Sequence, residues 1–353
     1  MIETNRSRPR IAFMGTGAQG ASVAADLALA GHDVTFIDQW PAHIEAIRAN
    51  GITVNLPTRT INAPVPALHL CDVAEIRQPF DIVFIVVKGY DTRWATELIK
   101  PVVADDGLVV ALQNGMTHEV VADVMGPERT IGAVIQIASN MWEPGLTNRE
   151  NDHDTSWFGI GAVDPKTQHR AQDIADLLAL SGRTEVTDDI HSVKWMKVVV
   201  NAAELIPSAI VNQPLATSIK TPGMLKAMRA AGYEAMQAAL ADGAKVVNII
   251  GMPPVRTNDP DRFVDAIYDE VLTTFSTETT LVTSLQDWRK GRRAEVQEIN
   301  GLVVDRLAAR GVDAPINRRI VELGLEIEAG RLDAKPENAG AMIAVHRANL
   351  TDA

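Results

Sequence analysis

The sequence feature that most constrains the fold is a glycine-rich loop between an apolar run and an alanine-rich segment. The run at Ile11–Met14 predicts a strand, and the loop that follows contains Gly15, Gly17 and Gly20 in the pattern G-x-G-x-x-G. After a predicted helix, a second apolar run ends at Asp38. In this context the glycines permit a tight turn, a close approach of the backbone to a pyrophosphate, and packing of the helix on the strand. The pattern therefore predicts the first βαβ unit of a dinucleotide-binding domain.

The same loop predicts how a dinucleotide would be held. Its phosphates would meet the N–H groups at the start of the helix, where the helix dipole is positive. Asp38 can accept hydrogen bonds from ribose hydroxyls and repels a 2′-phosphate, and no Arg or Lys occurs between Asp38 and Ile47, so the sequence favours NAD over NADP. Two alternatives are a tight βα turn without a ligand and an Asp38 that caps the next helix. The predicted cofactor-binding residues of the loop are Gly15, Thr16, Gly17, Ala18, Gln19 and Gly20.

The two halves of the chain differ in their hydrophobic pattern. Apolar, β-branched runs at 81–88, 107–114 and 130–139 alternate with helical patterns, which predicts a mostly parallel sheet, and 51–75 is expected to form loops and edge strands. After about Ile190 the apolar residues recur at helical spacing, and no strand is expected after Val186. We therefore expect an α/β Rossmann dinucleotide-binding domain over residues 1–189 and an all-α C-terminal domain, for substrate binding and dimerisation, over residues 190–353. Residues 252–262 are expected to form a loop.

Composition excludes several classes of partner. The net charge of −12 argues against a nucleic-acid partner, which requires a basic face. The single cysteine excludes an internal disulfide and a thiolate-cluster metal site, and no metal ligand set is predicted. No apolar stretch is long enough for a signal sequence or a membrane-spanning helix, so a cytoplasmic protein without membrane contacts is expected.

Four further motifs follow the glycine loop in order. They are VVKGYDT at 86–92, LQNG at 112–115, W-x-K-x-x-x-N from Trp195 to Asn201, and SLQDWRKGRRAEVQEING at 284–301. Together with the loop, they make the chain resemble the ketopantoate reductase (2-dehydropantoate 2-reductase) family over most of its length. The resemblance implies a Rossmann domain, a helical domain and an active site in the cleft between them. It also implies an oxidoreductase that uses NAD or NADP and acts on a small anionic substrate.

Lys197 is the predicted general acid/base. Reduction of a ketone by hydride leaves an alkoxide that must be protonated, and a lysine in a dry site can do this because its pKa falls toward the working pH. Asn201, four residues later, shares a helix face with Lys197; the alternative is a surface lysine beside an amphipathic helix. The resemblance implies roles for the other residues: Glu295 as a second catalytic group close to Lys197, and, for substrate or cofactor, Asn201, Asn114, Thr283, Ser284 and Lys88.

The chain departs from the family pattern at Leu205, where the family carries a second asparagine one helical turn after the first. A leucine cannot replace the hydrogen bonds of an amide, so the substrate pocket is expected to be more apolar on one side. The leading hypothesis is hydride transfer between a nicotinamide and a small 2-oxo or 2-hydroxy acid. The alternatives are an NAD-dependent dehydrogenase that oxidises another hydroxy acid or a sugar acid, and a dinucleotide-sensing protein without turnover. A homodimer is expected.

Overall fold

The computed structural model describes residues 8–251 and 259–351. Residues 252–258, most of the segment expected to form a loop, lie outside the described residues, and the helix that follows begins at Pro260. The chain divides into two compact units, and the division falls between His191 and Ser192.

The first unit is built on an eight-stranded sheet. The strands of this unit are β1 (Arg10–Met14), β2 (Asp33–Asp38), β3 (Ile52–Asn55), β4 (Thr60–Ala63), β5 (Ala67–His69), β6 (Phe80–Ile85), β7 (Val103–Leu112), β8 (Thr130–Gln136), β9 (Ser139–Glu143), β10 (Leu146–Arg149), β11 (Trp157–Ala162) and β12 (Arg183–Val186). The large sheet has the order β12-β11-β8-β7-β6-β1-β2-β5, and its strands pair in parallel except β8 with β11. The predicted, mostly parallel sheet is confirmed.

Helices cover both faces of this sheet, which explains why its central strands are apolar throughout. They are α1 (Ala18–Leu29), α2 (Pro41–Asn50), α3 (Thr92–Ile99), α4 (Thr117–Met125) and α5 (Ala171–Leu178). In the core, Phe13 of β1 stacks on Phe84 of β6 with ring centroids 4.5 Å apart. The register of these parallel strands brings the ends of β1, β6 and β7 to one edge.

The stretch at 51–75 is more regular than the sequence suggests. β5 is an edge strand of the large sheet, as expected, but β3 and β4 join β9 and β10 in a second sheet of four strands, in the order β4-β3-β10-β9. β3 alternates buried and half-buried residues, as a strand with one covered face does. A second sheet was not predicted, because its two halves lie far apart in the sequence.

The second unit is helical. Its helices are α6 (Ile190–Ile210), which begins two residues before the division, α7 (Leu215–Ser218), α8 (Met224–Ala241), α9 (Pro260–Glu270), α10 (Thr283–Arg289), α11 (Leu302–Ala308), α12 (Pro315–Glu328) and α13 (Ala339–Thr351), with π-helical turns at Val271–Phe275 and Gln297–Gly301. In the described part of the chain no strand follows Val186. None of the described helices combines the length and the hydrophobicity needed to cross a bilayer.

Buried hydrogen bonds fix α6 within this unit. The indole of Trp195 donates to Asp242, just after α8, at 3.0 Å. The amide of Asn300 donates to the carbonyl of Ala202 at 2.9 Å and to the side chain of Asn317 at 2.8 Å. These bonds satisfy polar groups in an apolar interior and hold the central turns of α6 in one position.

Candidate active site

The three glycines of the loop are required for different reasons. Gly15 has a φ of +93°, and a Cβ there would lie 2.7 Å from the amide nitrogen of Val87. A Cβ on Gly20 would lie 2.3 Å from the carbonyl oxygen of Gly15. At Gly17, by contrast, an added Cβ meets no described protein atom within 4 Å. Packing therefore explains the first and third glycines, whereas Gly17 leaves a stretch of backbone open to a ligand.

The start of α1 beside Gly17 is suited to an anion. Gly17 is the N-cap residue and supplies no side-chain cap, and the first turn of α1 contains no acidic residue. The first turn of α1 therefore offers its backbone N–H groups and the positive end of the helix dipole to a ligand beside Gly17. These residues fit the pyrophosphate of a dinucleotide.

Asp38, at the end of β2, and His43, in α2, both form hydrogen bonds to Thr16 of the glycine loop. The carboxylate of Asp38 accepts hydrogen bonds from the backbone N–H of Thr16 at 2.6 Å and of Trp40 at 2.8 Å. His43 Nδ1 accepts from the N–H of Gly145 at 2.9 Å, so its Nε2 carries the proton and donates to the carbonyl of Thr16 at 2.9 Å. Asp38 thus holds the glycine loop and the residue before α2, whereas the N-cap of α2 is Trp40 and no side-chain cap is present there. No pattern in the sequence predicts this role of His43.

Lys88 and Asn114 follow neighbouring strands at the carboxyl edge of the sheet. β6 ends at Ile85, so Lys88 lies three residues beyond the strand that was expected to reach it, and Asn114 lies two residues beyond β7. Gln113 joins the two segments, since its amide donates to the carbonyl of Val87 at 2.6 Å and to the hydroxyl of Thr92 at 2.9 Å. Open α/β sheets bind ligands at this edge.

Lys197 is buried, which removes the alternative of a surface lysine. Its exposed fraction is 7%, and Asn201, one turn later on α6, is 1% exposed. Burial lowers the pKa of Lys197 because a charged amine is poorly solvated there, and the charge of Glu204 opposes this effect. A lysine with a lowered pKa exchanges protons more readily near neutral pH.

Two further charged residues of α6, Lys194 and Glu204, are buried and were not predicted as site residues. Glu204 is the carboxylate whose charge acts on Lys197, and burial raises its own pKa. Lys194 is fully buried; burial lowers its pKa to about 7, and the charge of Glu295 opposes that shift. The charge of Glu295 thus acts on Lys194, and its expected position close to Lys197 stays a prediction. Spacings of three, four and three residues place Lys194, Lys197, Asn201 and Glu204 on one helix face, a signal that the sequence carries.

The remaining predicted residues lie before α11. Glu295 is 5% exposed and occupies a bend two residues before the π-helical turn, so it is not an exposed helical glutamate. π-helical turns recur at functional sites. Thr283 begins α10, and its buried hydroxyl oxygen has no hydrogen-bond partner within the described ranges. Ser284 is 1% exposed. A buried hydroxyl such as that of Thr283 is available to a ligand.

Leu205 is also buried, with 6% of its surface exposed. It lies one turn after Asn201 on α6. The apolar replacement is thus part of the packed interior of the second unit.

Comparison with known proteins gives matches in both units. The family model described as "Ketopantoate reductase PanE/ApbA" matches residues 11–162, and "Ketopantoate reductase PanE/ApbA C terminal" matches residues 189–328. The 2-dehydropantoate 2-reductase of Archaeoglobus fulgidus is 28% identical over 91% of this chain and 98% of its own length. The enzyme of the same name from Halobacterium salinarum is 25% identical over 89% of this chain and 97% of its own length.

Solved structures agree with these matches. A PanE/ApbA family ketopantoate reductase from Ralstonia eutropha JMP134 is 27% identical, with a TM-score of 0.77 over 91% of this chain and 99% of the other. D-Mandelate dehydrogenase, at 20% identity, shares the fold, with a TM-score of 0.81 over 91% of this chain and 99% of the other. The chain belongs to the ketopantoate reductase family of NAD(P)-dependent oxidoreductases, which act on the ketone or CH–OH group of a keto or hydroxy acid.

Proposed function

We propose that this enzyme interconverts a small 2-oxo acid and the corresponding 2-hydroxy acid, with Lys197 as the general acid/base. The observation that carries the proposal is a lysine on α6 with only 7% of its surface exposed, one turn from a buried amide. Membership in a family of oxidoreductases favours turnover over a dinucleotide sensor. The nicotinamide cofactor supplies the hydride to the ketone carbon in one direction and takes it up in the other.

Lys197 donates or accepts the proton in this reaction. In reduction its ammonium group gives a proton to the oxygen that becomes the hydroxyl, and the neutral amine is then reprotonated from solvent. Burial favours the neutral amine and Glu204 favours the ammonium, so the two effects together set the pKa of Lys197 below its ordinary value. Both protonation states are then accessible, as an acid/base group requires.

Neighbouring groups orient the substrate in this proposal. The amide of Asn201 and the unpartnered hydroxyl of Thr283 offer hydrogen bonds, and Ser284 lies beside Thr283. Glu295 accepts a hydrogen bond from the hydroxyl of the 2-hydroxy acid. In the first unit, Lys88 offers a positive charge to an anionic ligand and lines the cofactor site together with Asn114.

We propose NAD as the preferred cofactor. The charge of Asp38 lies at the end of β2, where it disfavours a 2′-phosphate, and the next residue is Gln39 rather than a cation. D-Mandelate dehydrogenase, which has the same fold, has been solved with NADH and anilino(oxo)acetate. A non-phosphorylated cofactor and an oxo acid bearing an apolar group are thus compatible with this fold.

Leu205 points to a substrate less polar than ketopantoate. Where the family pattern has an amide, a buried leucine favours an alkyl or aryl substituent, and a site that lacks a hydrogen bond to a substrate hydroxyl binds that substrate less well. We expect Leu205→Asn to raise kcat/KM for ketopantoate about tenfold relative to 2-oxo acids with apolar side chains.

The experiment that tests the function follows nicotinamide absorbance with NADH and NADPH over a panel of 2-oxo acids, and with the oxidised cofactors over 2-hydroxy acids. Lys197→Met should lower kcat by about 10²–10⁴-fold while the cofactor still binds. Lys220→Met is the matched control, because Lys220 is an exposed lysine of the same domain in an ion pair with Glu278. Full turnover in Lys197→Met would remove the mechanism.

We also propose a homodimer. A dimeric ketopantoate reductase from Staphylococcus aureus shares the fold of this chain, at 18% identity and a TM-score of 0.71. Light scattering of the purified chain tests this: a mass near 38.2 kDa at micromolar concentration would rule the dimer out.

A further inference from the structure

The first unit contains a cluster of metal-ligating side chains that the proposed reaction does not use. His118 and Glu119 lie in the first turn of α4, and His191 lies in the first turn of α6. One donor atom of each residue lies within 4.8 Å of the donor atoms of the other two. We propose that these three residues bind a first-row divalent cation, with Zn²⁺ as the reference ion.

The geometry brings the donors together from two helices. The imidazole rings of His118 and His191 meet edge to face, with centroids 6.2 Å apart, and His191 Nδ1 lies 4.0 Å from a carboxylate oxygen of Glu119. His118 is 3% exposed, whereas Glu119 and His191 are half-buried. The site therefore has one fixed ligand in the interior and two ligands that can adjust at its open side.

The chemistry of this donor set selects the ion. Two imidazoles and one carboxylate suit Zn²⁺, Co²⁺ and Ni²⁺ rather than Ca²⁺ or Mg²⁺, which prefer oxygen ligands. Tetrahedral Zn²⁺ with bonds of about 2.0–2.1 Å places its donors roughly 3.3 Å apart. The donor atoms here lie within 4.8 Å of one another, and His191 Nδ1 is 4.0 Å from Glu119, so they must move closer to bind the ion. Side-chain rotations of Glu119 and His191 can provide this movement. Three protein ligands leave the fourth position to water.

A bound ion would join two segments that carry residues of the proposed reaction. α4 begins three residues after Asn114, and Lys197 lies six residues after His191. The ligands are separate from those residues, so ion binding can be measured without turnover. The sequence alone predicts no metal ligands, because His191 is 72 positions from Glu119 and only the fold brings them together.

The test is a titration of the full-length, untagged, metal-free protein with ZnCl₂ by calorimetry, followed by Co²⁺ binding monitored by visible absorption. We expect one equivalent of Zn²⁺ with a micromolar or lower Kd, and Co²⁺ absorption of a four- or five-coordinate site. His191→Ala and Glu119→Gln should each weaken binding at least tenfold. Both positions are half-buried, so neither substitution opens a cavity in the core.

The matched control is His69→Ala. His69 bonds to the carboxylate of Glu45 at 2.7 Å, so it forms a histidine–carboxylate pair outside the proposed site. This variant should bind Zn²⁺ as the wild type does. Absence of binding at millimolar Zn²⁺, or binding that survives in both His191→Ala and Glu119→Gln, would overturn the proposal, because the ion would then bind elsewhere or not at all.

Discussion

The carboxylate of Asp38, at the end of β2, accepts a hydrogen bond from the backbone N–H of Thr16 within the glycine loop, at 2.6 Å. The hydroxyl of Thr16 adds a second bond to the same oxygen at 3.1 Å. An acid that would meet the ribose therefore also fixes the loop that would meet the pyrophosphate. Its charge and its hydrogen-bonding capacity can be separated experimentally.

Asp38→Asn should change cofactor preference with little effect on the loop. The asparagine keeps one oxygen as an acceptor for the N–H of Thr16, loses the acceptor for the N–H of Trp40, and removes the charge that opposes a 2′-phosphate. We expect the ratio of kcat/KM for NADP(H) to that for NAD(H) to rise about tenfold, which corresponds to about 1.4 kcal/mol.

Asp38→Ala is the comparison for this experiment. It removes both acceptors, and we expect it to weaken both cofactors together, because the loop loses its anchor. An unchanged cofactor ratio in Asp38→Asn would show that the charge of Asp38 does not select NAD.

Gly17→Ala and Gly20→Ala should separate ligand binding from folding. A methyl group at Gly17 meets no described protein atom within 4 Å, so Tm should fall little, while the affinity for the cofactor should fall at least tenfold because the methyl group occupies the approach of the pyrophosphate. At Gly20 the methyl group would collide with the carbonyl of Gly15.

Gly20→Ala should therefore lower the stability of the protein without its cofactor, by about 1–3 kcal/mol. Calorimetric melting and cofactor titration measure the two effects. Equal cofactor affinities in Gly17→Ala and wild type would contradict the assignment of the open backbone to a dinucleotide.

The sequence predicts the large sheet and the glycine loop because both depend on local patterns: apolar runs of strand length, and glycines at fixed spacing. It also places Lys197 and Asn201 on one helix face. It does not reveal the second sheet, the hydrogen bond of His43 to Thr16, or the effect of the Glu295 charge on Lys194. Each of these depends on residues that are distant in the sequence and adjacent only after folding.

Glu204→Gln should shift the pH dependence of turnover. Burial lowers the pKa of Lys197 and the negative charge of Glu204 raises it, so removal of that charge lowers it further. Ketone reduction needs the ammonium form, and its rate falls as pH rises through the pKa of Lys197. The alkaline limb of the kcat profile should therefore move to lower pH.

The difference in kcat between the wild type and Glu204→Gln should disappear at low pH, because Glu204 is protonated there in the wild type, and burial raises its pKa. The charge of Glu204 also raises the pKa of Tyr268. Glu278→Gln is the control, since this exposed glutamate of the same domain is in an ion pair with Lys220. A Glu204→Gln enzyme with reduced kcat and an unmoved profile would assign Glu204 a structural role only.

Lys194→Met should reduce the dependence of stability on pH. The pKa of Lys194 is about 7 in the folded protein and has its ordinary, higher value in the unfolded chain. Between these values the unfolded state binds more protons, so the free energy of unfolding rises with pH, by up to about 1.4 kcal/mol per unit from this group. Denaturant titrations at about pH 7 and about pH 9 measure this effect. Between these two pH values the free energy of unfolding of the wild type should rise by about 1–2 kcal/mol more than that of Lys194→Met.

The control is Lys220→Met, at an exposed site, which should behave as the wild type. Parallel pH profiles for the wild type and Lys194→Met would mean that Lys194 keeps its charge in the folded protein.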